Sequence, residues 1–122
     1  MKIASILENQ KIEKRIAITP EIAKKYISLG IEVCLSENYG SHLGIKDEEY
    51  TELGVLILKD EKEIINSADI IVQLSLLSDD KNFLLKENQT FIGVLNPFEN
   101  KDKINDLIKK KLILFHSNYF QE

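Results

Sequence analysis

Six short apolar runs, each about the length of a β-strand, alternate with amphipathic stretches at helical spacing, and this predicts an α/β domain with a mostly parallel sheet. Two further observations support that class. One run, Asp69-Ile70-Ile71-Val72-Gln73-Leu74, is nearly continuous apolar, as a strand covered on both faces must be. The 122 residues, 43% hydrophobic and 30% charged, suit a single soluble domain with one core. The predicted fold is a three-layer, Rossmann-like or flavodoxin-like domain of about six strands, with the strand order left open.

The first strand runs from Lys2 to Leu7 on the apolar residues Ile3, Ala4 and Ile6. The first helix starts at Thr19, an N-cap side chain, with Pro20 at the first helical position, where its missing N–H costs nothing. Ile22, Tyr26 and Leu29 recur at helical spacing, and Gly30 stops the helix. Strand two, Ile31 to Ser36, alternates Ile31, Val33 and Leu35 with Glu32, Cys34 and Ser36, which predicts one wetter face toward a sheet edge. A polar, glycine-punctuated loop from Glu37 to Gly44 follows, and Asp47 is expected to cap a short helix through Tyr50 and Leu53.

Strand three spans Val55 to Leu58 and leads into Asp60-Glu61-Lys62-Glu63, which has the spacing of a capping box. Strand four, Asp69 to Leu74, belongs at the centre of the sheet. Asp79 or Asp80 caps a helix carrying Phe83 and Leu84, and strand five is Thr90 to Leu95. A helix from about Lys101 buries Ile104, Leu107 and Ile108, and strand six is Leu112 to Phe115. A sixth strand running into Ser117–Glu122 reads as a domain belonging to something longer.

Composition narrows the function classes. A net charge of −4 without a basic stripe gives no reason to expect nucleic acid. The Lys109-Lys110-Lys111 cluster fits the C-terminal end of a helix dipole. The lone Cys34 falls inside a strand, so it reads as a buried, inert thiol compatible with a reducing compartment. Met1-Lys2 leads straight into a strand without a secretory pattern, and no apolar run is long enough to span a bilayer.

Several chemistries lack their residues. The five glycines (Gly30, Gly40, Gly44, Gly54 and Gly93) nowhere give the G-x-G-x-x-G spacing that lets backbone approach a pyrophosphate. His42 and His116 have no cysteine or second histidine at metal spacing, so no metal is expected and each reads as a solvated or packing residue. A phospho-receiver domain would need paired acids after strand one, an aspartate ending strand three and a lysine ending strand five. Those ends read Leu7-Glu8, Leu58-Lys59 and Leu95-Asn96.

Ligands of open α/β sheets gather beyond the carboxyl ends of the strands. Arg15, Gln73 and Asn96 belong there, and together they would offer a cation and two neutral amides to a carboxylate or carboxamide. Arginine suits that task because its planar fork binds such groups in two-point fashion. None of the three is a general acid or base. Each also has a purely structural reading: Arg15 in a local cap or stack, Gln73 on backbone groups at a strand end, and Asn96 in a turn with Pro97.

Lys2-Ile3, Glu13-Lys14-Arg15-Ile16-Ala17-Ile18-Thr19-Pro20-Glu21 and Leu29-Gly30-Ile31-Glu32-Val33 resemble the opening of the alanine dehydrogenase / pyridine nucleotide transhydrogenase family. The resemblance covers essentially the whole chain and implies an N-terminal domain, residues 1–122, that faces a following NAD-binding domain across a cleft. In the dehydrogenase branch, an arginine and a lysine bind substrate and a histidine is the acid/base. Those positions fall on Arg15, Gln73 and Asn96, so two of the three are changed. The alternatives are a non-catalytic binding domain of the same fold and a lobe of an alanine- or saccharopine-type dehydrogenase.

The resemblance is closer to the alpha subunit of the proton-translocating transhydrogenase branch, in which hydride passes directly between NADH and NADP. It implies NAD(H) held mainly by the following domain, a membrane-embedded partner and an NADP-binding component. It also implies a homodimer and a cytoplasmic site on the inner face of the cell membrane. The isolated lobe is expected to be inactive.

Overall fold

The computed structural model describes residues 1–8, 14–74 and 89–93, and the backbone of 113–116. The helices expected around Phe83 and from Lys101, the Lys109–Lys111 cluster, the end of strand five and residues 117–122 lie outside the described residues.

Six strands form one sheet: β1 (Lys2–Ser5), β2 (Glu32–Ser36), β3 (Leu56–Leu58), β4 (Ile70–Gln73), β5 (Thr90–Gly93) and β6 (Ile113–His116). Their order is β3-β2-β1-β4-β5-β6, and every neighbouring pair is parallel. Between the strands run α1 (Pro20–Ser28), α2 (Asp47–Thr51) and α3 (Glu61–Ser67). This is the order of a doubly wound, Rossmann-like sheet.

The strand period of two sorts the core into two faces. Ile3, Val33 and Leu35 point to one side, where they meet Ala23 of α1 and Tyr50 of α2, with Tyr39 and Val55. Ala4, Cys34, Ile71 and Phe91 point to the other, against Ile64 and Ile65 of α3. The sheet is therefore the middle of three layers, as the sequence predicts.

Local signals act largely as expected. The Thr19 hydroxyl accepts from the Ile22 N–H at 3.3 Å, and α1 opens with Pro20 at its N-terminus. It closes at Leu29, where Gly30 takes φ +82°, a left-handed turn that disfavours other residues. Asp60 Oδ1 accepts from the Lys62 N–H at 3.0 Å and caps α3. Central β4 is flanked by β1 and β5.

Two expectations are corrected. Strand β2 has no wet face: Cys34 and Ser36 are buried, Glu32 alone is exposed, and β3 forms the edge beside it. Small cysteine and serine side chains are easily covered by α3 and the β1 loop, so their polarity misled. Asp47 is the first residue of α2 and not its cap, a position held by Lys46. The Asp47 carboxylate instead takes the Asn38 N–H with both oxygens at 3.1 Å, steadying a residue at φ +60°. At the start of α2 the Lys46 N–H is taken by Glu49 Oε2 at 2.8 Å.

Candidate functional site

From β1 the chain winds outward through β2 and β3, and from β4 it winds outward the other way. The sheet's switch point therefore lies at the carboxyl ends of β1 and β4, where open α/β sheets form their crevice. Ser5 ends β1 and Gln73 ends β4.

Gln73 is 2% exposed and its amide is fully engaged. Oε1 accepts from the Ile6 N–H at 2.7 Å, and Nε2 donates to Ile6 O at 3.0 Å and to Glu8 Oε2 at 2.8 Å. The same Glu8 oxygen accepts the Leu74 N–H at 2.7 Å. The side chain thus acts as one more peptide group, continuing the β1–β4 pairing after the strands diverge. A donor faces each acceptor, which fixes the orientation of the amide.

A close backbone approach backs this arrangement. Gly93 of β5 sits in register opposite Gln73, and a Cβ there would lie 2.6 Å from Gln73 O. Only glycine fits without moving a strand.

Two hydroxyls carry the network toward the loop that holds Arg15. Tyr39 is wholly buried, and its oxygen accepts the Ala17 N–H at 3.1 Å and the Ile18 N–H at 3.2 Å. Both lone pairs are then used, so its proton goes to Ser5 Oγ at 2.8 Å. Ser5 has one proton of its own for Val72 O at 2.6 Å or Gln73 Oε1 at 3.0 Å. Burial pushes the Tyr39 hydroxyl up to about 12, against the pull of the Ser5, Ile18 and Ala17 bonds, and the Glu8 charge adds to the rise. At neutral pH it is a phenol that both donates and accepts.

Tyr50 packs edge-on against Tyr39, with ring centroids 6.1 Å apart, and donates to Ile18 O at 2.8 Å. Burial raises its pKa as well, and the nearby Tyr39, Glu49 and Asp47 add to the rise. His42 Nε2 lies 2.7 Å from Lys14 O; a carbonyl only accepts, so that nitrogen carries the proton. Arg15 itself is exposed, on a segment held at Lys14, Ala17 and Ile18.

Of the residues expected at the strand ends, Gln73 therefore sits in the switch point and Arg15 on a loop tied to it. Asn96 lies outside the described residues. Sequence reasoning missed Ser5, Glu8 and Tyr39. Ser5 had a visible signal, a hydroxyl interrupting the Ile3-Ala4-Ile6 apolar run. Glu8 and Tyr39 had none, since their partners lie 65 and 34 residues away.

The switch point carries a buried acid, Glu8. A pyrophosphate there would meet the buried Glu8 carboxylate, and no glycine-rich turn follows β1. Among the described residues, no group of three or more His, Cys, Asp or Glu side chains could hold a metal ion. No described helix is long and apolar enough to cross a membrane.

Comparison with known proteins agrees with this architecture. The first part of NAD(P) transhydrogenase subunit alpha from Rickettsia prowazekii (strain Madrid E) is 39% identical over 119 residues, which is 94% of this chain and 31% of that protein. A solved transhydrogenase from Sinorhizobium meliloti superposes with a TM-score of 0.84 at 25% identity, covering 93% of this chain and 34% of the other. A solved L-alanine dehydrogenase gives a TM-score of 0.88 at 18% identity over 95% and 32% of the two chains, which bears on fold alone. The chain spans about a third of the length of the curated relatives it matches. The alanine dehydrogenase/PNT N-terminal domain matches residues 6–122, and the chain belongs to that family.

Proposed function

We propose that this chain is the N-terminal lobe of the NAD(H)-binding component of a proton-translocating NAD(P) transhydrogenase. The observation that carries the reading is its 39% identity, across nearly its whole length, to the first part of a transhydrogenase alpha subunit. The state of Gln73 supports it. A substrate-binding lysine belongs at this position in the dehydrogenase branch, and here a neutral amide is spent on Ile6 and Glu8.

Hydride passing directly between two nicotinamides needs no protein acid or base, so the lobe's task is to wall the cleft and exclude water. Arg15, Gln73 and Asn96 are the residues we place on that wall. Because Glu8 occupies the lobe's own switch point, NAD(H) is held mainly by a following domain. An NADP-binding component, a membrane-embedded proton channel and a second copy of the chain complete the assembly. It sits on the cytoplasmic face of the cell membrane, and the isolated lobe does not turn over.

The test is made on the native protein and its partner subunits. NADH should reduce an NADP analogue whose reduced form absorbs at a distinct wavelength, with no reaction of L-alanine and NAD. Alanine oxidation, or its appearance on Gln73→Lys with Asn96→His, would assign the dehydrogenase reading instead. Inertness in both assays would leave a non-catalytic binding domain. The intact native mass is a second check, expected at about three times the 14.0 kDa of this chain.

A further inference from the structure

Arg15 sits in a segment whose backbone is held from outside itself. Its predecessor Lys14 is held at the carbonyl by His42. Two residues on, the Ala17 and Ile18 N–H groups converge on the Tyr39 hydroxyl, while Ile18 O takes the Tyr50 hydroxyl. All three anchors come from residues 39–50, the loop and short helix that follow β2. Tyr39 continues inward: its proton reaches Ser5 Oγ at the end of β1, and Ser5 reaches Val72 and Gln73 at the end of β4.

We infer that Tyr39 is a positioning residue for Arg15, its hydroxyl tying the Arg15 loop through Ser5 to the frame that holds Gln73. The inference rests on the reading of Arg15 as a cleft residue for the carboxamide of a nicotinamide, with the buried Gln73 amide in the frame behind it. A guanidinium on a long side chain orients a planar group only if its backbone anchor is fixed, because misplacement by about an ångström can cost about a hundredfold. Exposed loops do not supply that by themselves. Here a buried phenol with every hydrogen-bonding position filled supplies it. A phenylalanine would keep the ring against Tyr50 and lose all three bonds.

The experiment is a double-mutant cycle on NADH affinity, measured on the native protein with Arg15→Ala, Tyr39→Phe and the pair. Tyr39→Phe alone should weaken NADH binding about fivefold to tenfold, the scale of one well-placed hydrogen bond. In the Arg15→Ala background the same change should have no further effect, since nothing is left to position. Hydrogen exchange at Ala17 and Ile18 should accelerate in both Tyr39→Phe proteins.

Gln89→Leu is the control, because it removes two buried 2.8 Å bonds, to Ile65 O and Ala68 O, at the opposite end of the strands. It should lower stability and leave NADH affinity unchanged. A role in stability alone would make the Tyr39 and Arg15 effects additive, or would let Gln89→Leu weaken NADH as much, and either result overturns the inference. If Arg15→Ala leaves NADH affinity intact, the inference falls, while continued transfer from NADH to the NADP analogue shows that the proposed function stands. Should Tyr39→Phe not fold, Ser5→Ala is read in the same cycle. It cuts the tie to the sheet but keeps the Tyr39 bonds to Ala17 and Ile18, and non-additivity with Arg15→Ala is again required.

Discussion

The Gln73 amide donates to Glu8 Oε2 over 2.8 Å, and the next backbone N–H, that of Leu74, donates to the same oxygen over 2.7 Å. A nearly buried carboxylate just past the end of β1 thus takes two neutral donors at the end of β4. Charged acceptors make the stronger hydrogen bonds, so Glu8 and Gln73 weld the two halves of the sheet where their backbone pairing stops.

Gln73→Glu tests that weld. The new carboxylate would put an oxygen where Nε2 now sits, facing both Ile6 O and Glu8. At neutral pH two carboxylates cannot both stay ionised there, and the loss of stability should be on the order of 3 kcal/mol. The native pair would retain a proton that the unfolded chain releases, so the folded state binds more protons and stability should recover as pH falls. Urea denaturation at neutral and mildly acidic pH measures this. Equal stability of variant and parent at neutral pH would mean Glu8 does not face Gln73.

Tyr39 sets an upper limit to the pH range of the fold. In the unfolded chain its phenol ionises near pH 10, whereas in the folded chain it keeps its proton to about 12. Between those values the folded state binds more protons. Stability from this group is therefore complete below about pH 10 and is lost as pH rises through about 12, on the order of 2–3 kcal/mol in all. Tyr50 and Cys34 shift in the same direction, so their losses add. Denaturant midpoints across that range should fall less steeply for Tyr39→Phe; parallel curves for the two proteins would remove Tyr39 from the account.

Gly93→Ala should cost about 2 kcal/mol. The added methyl meets Gln73 O at 2.6 Å and Phe91 Cε1 at 3.1 Å, and the first of these is backbone in a central strand that cannot yield locally. Gly30→Ala meets no atom within 4 Å but must hold φ +82°, so its cost of about 1 kcal/mol comes from conformation and not from crowding. Thermal unfolding of the two variants separates the mechanisms. A Gly93→Ala protein as stable as the parent would show that β4 and β5 are not in this register.

What the sequence shows and what it hides divides along the distance over which each signal acts. Apolar runs and the Thr19-Pro20 and Gly30 signals act within one element, and all the strands and α1 are legible from them. The two faces of β2 are less legible, because burial of Cys34 and Ser36 depends on α3 and on the loop after β1, which come from elsewhere in the chain. Asp47 looks like a cap, but a nearby backbone N–H at Asn38 claims its carboxylate. At the site, Gln73 stands out as a polar end to an apolar run. Glu8 and Tyr39 look like ordinary loop residues until the parallel crossovers bring β1, β2 and β4 side by side.

Cys34 should be chemically silent in the native protein. Its thiol is fully buried between β2 and α3, and burial raises its pKa, with Lys2 opposing and Glu63 adding to the shift. Only the thiolate reacts with alkylating and disulfide reagents, so both burial and protonation protect it. Because Cys34 packs with Ala4, Ile64, Ile71 and Phe91 in one cluster, exposing it means separating α3 from the sheet, close to global unfolding. Labelling should therefore be slow in buffer and should accelerate with urea along the same free-energy slope as denaturation. Rapid stoichiometric labelling without denaturant would instead show that α3 lifts from the sheet by a local opening.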